Sequence, residues 1–99
     1  MSRPPYAVSL SVLAARQVQR ERTWIHNHRG PLAADAFEEE LRHAMDLLGT
    51  CPEMGEAVED ERHWFLRRSR FHILYVVDHE RRAVVLSRIR HEKQGPPKL

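Results

Sequence analysis

The sequence predicts an α+β fold in which an N-terminal helical hairpin packs on one face of a four-stranded antiparallel sheet. Three observations predict it: an alternating strand near the start, two helical stretches, and three strand-like runs after residue 61. The predicted element order is therefore strand-helix-helix-strand-strand-strand. The chain has 99 residues, of which 41% are hydrophobic and 30% charged, which suffices for one core. We therefore expect a single domain over residues 1–99.

The first strand and the first helix meet at Ser11. Residues 6–10 (YAVSL) alternate large and small side chains, as in a strand with one buried face. Ser11 occupies an N-cap position, and Val12 to about His28 contains neither glycine nor proline. Because Glu21 interrupts the apolar stripe of this helix, we expect it to be less deeply buried than the next one.

The second helix is predicted from about Leu32 to Leu48. Arg29-Gly30-Pro31 separates it from the first helix, and Gly49 is expected to close it in a left-handed conformation. Two helices joined by so short a break form a hairpin. The apolar residues of the second helix share one face at helical spacing: Ala33, Ala36, Phe37, Leu41, Ala44, Met45 and Leu48.

The remaining strands follow a polar connection over residues 50–61. Residues 62–68, 71–77 and 83–90 are rich in aromatic and β-branched side chains, at lengths typical of strands. The breaks between them are short enough for hairpin turns. The segment 91–99, which contains Gly95-Pro96-Pro97, is expected to leave the sheet as a flexible tail.

Charge is segregated along the chain. Residues 1–34 carry five arginines and one glutamate, a net charge of +4. Residues 35–61 carry ten carboxylates and one arginine, a net charge of −9. Residues 62–99 have eight arginines, two lysines and three carboxylates, a net charge of +7. A basic face that meets a polyanion or an acidic protein is one interpretation, and simple solvation of charged strands is the other.

Several classes of protein are disfavoured by composition. No apolar run approaches the roughly 20 residues of a membrane-spanning helix, and the first residues lack the apolar stretch of a signal peptide. Cys51 is the only cysteine, and the seven histidines are scattered, so we expect neither a metal site nor a cofactor. A cytoplasmic protein without membrane contact is the expectation.

Six segments of the chain follow a known family pattern. They are Tyr6-x-Val8-x-Leu10-Ser11, Trp24-Ile25, Ala36-Phe37 with Leu41, Leu48 through Pro52 to Gly55, Arg70-Phe-His-Ile-Leu-Tyr75, and Val85-Leu-Ser-Arg88-Ile-Arg-His91. Together they cover nearly the whole chain, from Tyr6 to about Gln94. In this order they resemble the RelE/ParE superfamily, the toxins of bacterial type II toxin–antitoxin modules, most closely its ParE branch.

The resemblance implies a growth-arresting toxin whose surface is masked by a cognate antitoxin, in a toxin–antitoxin hetero-oligomer. It leaves two targets open. Members similar to RelE cleave mRNA on the ribosome, and members similar to ParE inhibit DNA gyrase and serve in plasmid stabilisation. Whether the protein is an enzyme depends on this choice.

For the ribonuclease alternative, the resemblance places the catalytic groups at His72, His91 and Lys93. Histidine and lysine are suited to the proton transfers and phosphate stabilisation that RNA cleavage needs. Two features count against it: no tyrosine lies near His91, and the acidic segment 56–61 would repel an RNA backbone.

Gyrase inhibition needs a protein-binding surface rather than catalytic groups, and the final strand fits the ParE-type pattern better. The basic residues assigned to target or antitoxin binding are Arg67, Arg68, Arg70, Arg88, Arg90, His91 and Lys93. A simpler interpretation makes His72 and His91 residues of a sheet edge, and the three arginines between the strands solvated charges. A further alternative is a nucleic-acid-binding module without toxicity, or an inactive relative.

Overall fold

A computed structural model describes residues 4–94. Its elements are β1 (Ala7–Leu10), α1 (Val12–Arg29), α2 (Pro31–Thr50), β2 (Glu56–Val58), β3 (Glu61–Leu66), β4 (Phe71–Asp78), β5 (Ala83–His91) and a 3-10 turn over Glu92–Gln94. The predicted α+β class and the helical hairpin are confirmed. Neither helix within residues 4–94 is long and apolar enough to cross a membrane.

The sheet differs from the prediction in strand number and in direction. It has five strands in the order β1-β5-β4-β3-β2, and β1 runs parallel to β5. A parallel pair needs a long crossover, which the helices and the intervening strands supply here. The extra strand β2 lies in the segment expected to be a polar connection. It pairs with β3 through a two-residue turn in which Glu59 has φ 56°.

Helix α1 begins as predicted and is shallowly buried. The Ser11 hydroxyl accepts a hydrogen bond from the backbone N–H of Ala14 at 3.0 Å and donates to the Ser87 carbonyl at 2.9 Å. The cap therefore also fastens the start of the helix to β5. Only Ala14 and Ile25 of this helix are buried, which confirms the expected difference between the helices.

Helix α2 supplies the larger share of the helical core. Its buried stripe follows the predicted period but includes Ala34, whereas Ala36 is exposed. Gly49 does not adopt the expected left-handed conformation, since Gly30 is the only glycine with positive φ among residues 4–94. Gly49 lies inside α2, where an added Cβ would be 3.1 Å from the Tyr6 carbonyl oxygen. Its role is close approach between helix and strand.

The end of β5 lies further along the chain than expected. His91 is the last residue of this strand, and Glu92–Gln94 form the 3-10 turn, where the sequence predicted the start of a tail. The Glu92 N–H donates to the Arg70 carbonyl at 2.9 Å, and the Gln17 side chain accepts from the Ile89 N–H at 2.8 Å. These bonds hold the strand end in place. Residues 95–99 lie outside the described residues.

Gly55 and Tyr75 join the connection after α2 to the middle of the sheet. The Tyr75 hydroxyl accepts a hydrogen bond from the Gly55 N–H at 2.9 Å. Tyr75 is fully buried, and burial is the main cause that raises the pKa of its hydroxyl. This contact anchors the segment that leads into β2.

Candidate functional site

The two faces of the sheet differ in what covers them. Leu66, Phe71, Ile73, Tyr75, Leu86 and Ile89 belong to one buried cluster with the side chains of both helices. Alternate residues point the other way. We call that second surface the open face, and its central residues are His63, Phe65, His72, Leu74, Arg88 and Arg90.

Two histidines meet on the open face. The Nε2 atom of His63 lies 2.7 Å from the Nδ1 atom of His72, and their rings are stacked at 4.9 Å. Phe65 packs against His72 at a ring distance of 4.9 Å, and the Arg70 guanidinium lies 5.6 Å from the centre of the Phe65 ring. Burial, and then the charge of His63, lowers the pKa of His72.

The arginines of β5 lie beside this pair. Arg90 stands opposite His72 in register, and Arg88 stands opposite Leu74. Arg88 lies 3.8 Å from the Glu61 carboxylate, which also accepts a hydrogen bond from the Ser87 hydroxyl at 2.9 Å. Within residues 4–94, no carboxylate lies within ion-pair distance of Arg90. Arg90 is therefore the open-face cation available to an external anion.

The other predicted binding residues gather at one end of the sheet. Arg67 and Arg68 are exposed in the turn between β3 and β4, and Arg70 follows with φ 64°. Arg70 forms an ion pair with Glu92. Because β4 begins where β5 ends, this turn lies beside His91 and Lys93. The three arginines therefore occupy a turn at the sheet end.

The three candidate catalytic residues are divided between the faces of the sheet. His91 pairs with Phe71 in register, and their rings lie 5.0 Å apart on the helix side. His72 is one position along β4 and points to the open face. Lys93 is exposed in the 3-10 turn, and its N–H donates to His91 Nδ1 at 3.2 Å. His72 lies inside the sheet, between two strands, and not at an edge.

A groove of about 1030 Å³ lies on the helix side of the same sheet end. We call it the hairpin groove; its apolar floor includes Ile25, Phe37 and Phe71, and Trp24 at its side is 49% exposed. Its charged lining includes Arg20, Glu21, Arg29, Glu39, Glu40, His43, Arg68, His91 and Lys93. The groove therefore combines an apolar floor with a charged lining.

Glu40 links α2 to the arginine-bearing turn. Its carboxylate accepts hydrogen bonds from the backbone N–H groups of Arg68 at 2.8 Å and Ser69 at 2.7 Å. Charge-assisted bonds of this kind are stronger than neutral ones. The turn is thereby held against the rim of the hairpin groove.

Two of these residues carried no recognisable signal in the sequence. His63 was read as part of a strand, and its approach to His72 depends on the register of β3 against β4. Glu40 is one of three consecutive glutamates, and nothing local distinguishes it. Among the described residues, no three histidine, cysteine, aspartate or glutamate side chains are grouped as a metal site would need.

Comparison with known proteins gives one family and one fold. The family model described as the ParE toxin of the type II toxin–antitoxin system parDE matches residues 8–96. The chromosomal ParDE system from P. aeruginosa is similar in structure, with a TM-score of 0.73, 17% identity, and coverage of 87% of this chain and 95% of that one.

Two RelBE complexes share the fold as well. The RelBE2 toxin–antitoxin complex from Mycobacterium tuberculosis has a TM-score of 0.62 and 21% identity, over 91% of this chain and 94% of that one. The intact E. coli RelBE complex has a TM-score of 0.53 and 14% identity, over 87% and 95%. No curated protein matches the sequence.

Proposed function

Because the chain belongs to the ParE toxin family of type II toxin–antitoxin systems, we propose that it arrests growth by inhibiting DNA gyrase and that a cognate antitoxin neutralises it. The proposal places the protein in the cytoplasm, in a hetero-oligomer with the antitoxin, and includes plasmid stabilisation among its roles. No cofactor enters it.

The observation that carries the choice of gyrase is the division of His72 and His91 between the two faces of the sheet. A general acid and a general base must both reach one phosphate to cleave RNA. With His91 on the helix side against Phe71, it does not converge with His72. A binding surface has no such requirement, and Arg88 with Arg90 on the open face supplies one.

A ribosome-dependent mRNA endoribonuclease similar to RelE is the second candidate. One observation favours it: His63 lies 2.7 Å from His72 on the open face, and Arg90 is opposite His72. Two imidazoles and a guanidinium are groups that can exchange protons and stabilise a phosphate. In that case His63 takes the role that the family resemblance assigns to His91.

Pulse-labelling after induction in a host without the antitoxin tests the proposal. We expect DNA synthesis to stop early while protein synthesis continues. Early loss of protein synthesis would support the ribonuclease instead. Unchanged synthesis with continued growth would contradict both, and would favour an inactive relative or a nucleic-acid-binding module.

We also propose that the antitoxin covers the hairpin groove. The structural neighbours from P. aeruginosa, M. tuberculosis and E. coli are described as toxin–antitoxin systems or complexes. The groove has an apolar floor, and Arg20, Arg29 and Lys93 are among its lining residues. An amphipathic segment with carboxylates beside its apolar face would match both.

Binding of the antitoxin is expected to raise the melting temperature of the toxin. At a free antitoxin concentration of about 100 Kd, the rise should be about 10 °C. Trp24→Ala should reduce it, because this side chain flanks the groove. Leu32→Ala is the matched control, since Leu32 is 84% exposed and does not line the groove. Identical melts with and without antitoxin would refute the idea.

A further inference from the structure

Leu74 is buried on the open face, the side of the sheet opposite α1 and α2. It is only 2% exposed, yet it does not belong to the cluster beneath the helices. Its cross-strand neighbours on the open face are His63 on β3 and Arg88 on β5. Directly opposite side chains in a sheet have Cβ atoms roughly 5 Å apart, so these two flank Leu74 on either side.

The contact between His63 and His72 depends on protons. A hydrogen bond between the two facing nitrogens needs one N–H and one lone pair. The pair satisfies this when it is neutral and when it carries one additional proton. With two additional protons, both facing nitrogens carry hydrogen, the bond is lost, and two positive charges lie side by side.

We propose that His63 and His72 form a proton-operated latch over Leu74, closed with at most one additional proton and opened by the second. Opening moves His63 away from His72 and uncovers Leu74. It also adds positive charge beside Arg90. The consequence for target binding rests on the proposed function, whereas the latch itself does not.

The surrounding charges act on the latch in both directions. The charge of His91 opposes further protonation of His72, and the charge of Glu92 favours it. Arg90 stands opposite His72 in register. Arg70 holds the Glu92 carboxylate in an ion pair, and Glu61 is close to Arg88. The charged and titratable groups that face the pair from the neighbouring elements are Glu56, Glu61, Arg70, Arg88, Arg90, His91 and Glu92.

The sign of the pH effect follows from the lowered pKa of His72. Its folded-state pKa is below the ordinary value of 6.5, so the unfolded chain binds more protons as the pH falls. The stabilisation is fully present above pH 6.5 and is lost as the pH falls through the folded-state pKa. Between pH 7.5 and 5, the wild-type melting temperature should therefore fall further than that of His72→Gln.

NMR titration of the free protein tests the latch. We expect the imidazole resonances of His72 to titrate in two steps, as those of a coupled group do. The Leu74 methyl resonances should move only in the step at lower pH. In His63→Gln the pKa of His72 should rise, because a source of positive charge is removed. The matched control His26→Gln changes an exposed histidine on α1 and should leave the pair as it is.

Two results would overturn the latch. One is a His72 titration that His63→Gln leaves unchanged, and the other is Leu74 methyl resonances that do not respond to acid. If His63→Gln does not fold, the tautomers of the wild-type imidazoles at pH 7.5 report the shared hydrogen bond directly, and two independent rings would contradict it. Because growth arrest is measured in a separate experiment, the NMR titration can be interpreted even if the gyrase proposal fails.

Discussion

Replacement of Gly55 by alanine is expected to lower the free energy of unfolding by about 3 kcal/mol. A Cβ atom at this position would lie 2.6 Å from the Tyr75 hydroxyl oxygen and 2.7 Å from the His63 carbonyl oxygen. Nonbonded carbon and oxygen atoms do not lie so close together in folded proteins, so a neighbouring group would have to shift. Because Tyr75 is fully buried and His63 contributes backbone, neither neighbour can move cheaply. Urea denaturation measures the loss.

A double-mutant cycle with Tyr75→Phe isolates the cause. Tyr75→Phe alone should cost about 1.5 kcal/mol, since the Gly55 N–H loses its acceptor. In the Tyr75→Phe background, Gly55→Ala should cost less, because the hydroxyl oxygen is gone. The contact with the His63 carbonyl remains, so the recovery should be partial. Purely additive costs would show that the hydroxyl is not the obstacle.

Under the proposed function, loss of the Arg90 side chain should weaken inhibition of gyrase by about 30-fold, in line with the roughly 2 kcal/mol of an interface arginine. Arg90 lies on the open face opposite His72, and no described carboxylate pairs with it. Its charge therefore serves no ion pair within the described fold. Arg90→Ala should relieve growth arrest while the melting temperature stays nearly unchanged. A supercoiling assay with purified gyrase measures the first effect in vitro.

Arg81→Ala is the matched control for Arg90→Ala. Arg81 is an arginine with an 86% exposed side chain, in the turn between β4 and β5 at the opposite end of β5. It should keep full inhibition. Arg88→Ala with Arg90→Ala should weaken inhibition further, but Arg88 flanks the buried Leu74 and lies near Glu61, so that double variant loses some stability too. Undiminished toxicity of Arg90→Ala would place the active surface elsewhere.

Much of the fold could be predicted from the sequence because the local capping and apolar patterns agree with the tertiary structure. Ser11 caps α1, the apolar period of α2 faces the core, and the run of residues 71–77 becomes the central strand β4. In each case the pattern is long or carries a specific capping group. The helices and the three C-terminal strands were therefore predicted within a few residues.

The wrong predictions concern strands whose pairing could not be inferred from neighbouring residues in the sequence. β2 has three residues, which are too few for a periodic pattern. It forms by pairing with the edge of β3. The direction of β1 relative to β5 depends on the entire chain between them. The sequence predicts His91 in a tail because glycine and prolines follow soon after. It stays in the sheet because it pairs with Phe71, and the next residue, Glu92, bonds to the Arg70 carbonyl.

The site was predictable in composition but not in arrangement. The basic residues at the end of the last strand were identified from the sequence, and the structure brings those of the turn and of β5 to one end of the sheet. Which face each side chain occupies follows from strand alternation. The bulge between Leu74 and Tyr75 shifts that alternation on β5, where Leu86 and Ile89 both face the helices. No local pattern in the sequence predicts this shift. The contact of His63 with His72 was not predicted either, because it depends on the register of β3 against β4.

The pairing of the first strand with the last has a consequence for synthesis. Ala7 to Leu10 leave the ribosome early, but their partners from Ala83 to Leu86 are made near the end. At bacterial elongation rates of about 10 residues per second, β1 waits several seconds for β5. Arg88 and Arg90 belong to that same late strand. Under the proposed function, a nascent chain is harmless until it is almost complete, which gives an antitoxin already in the cell time to meet it.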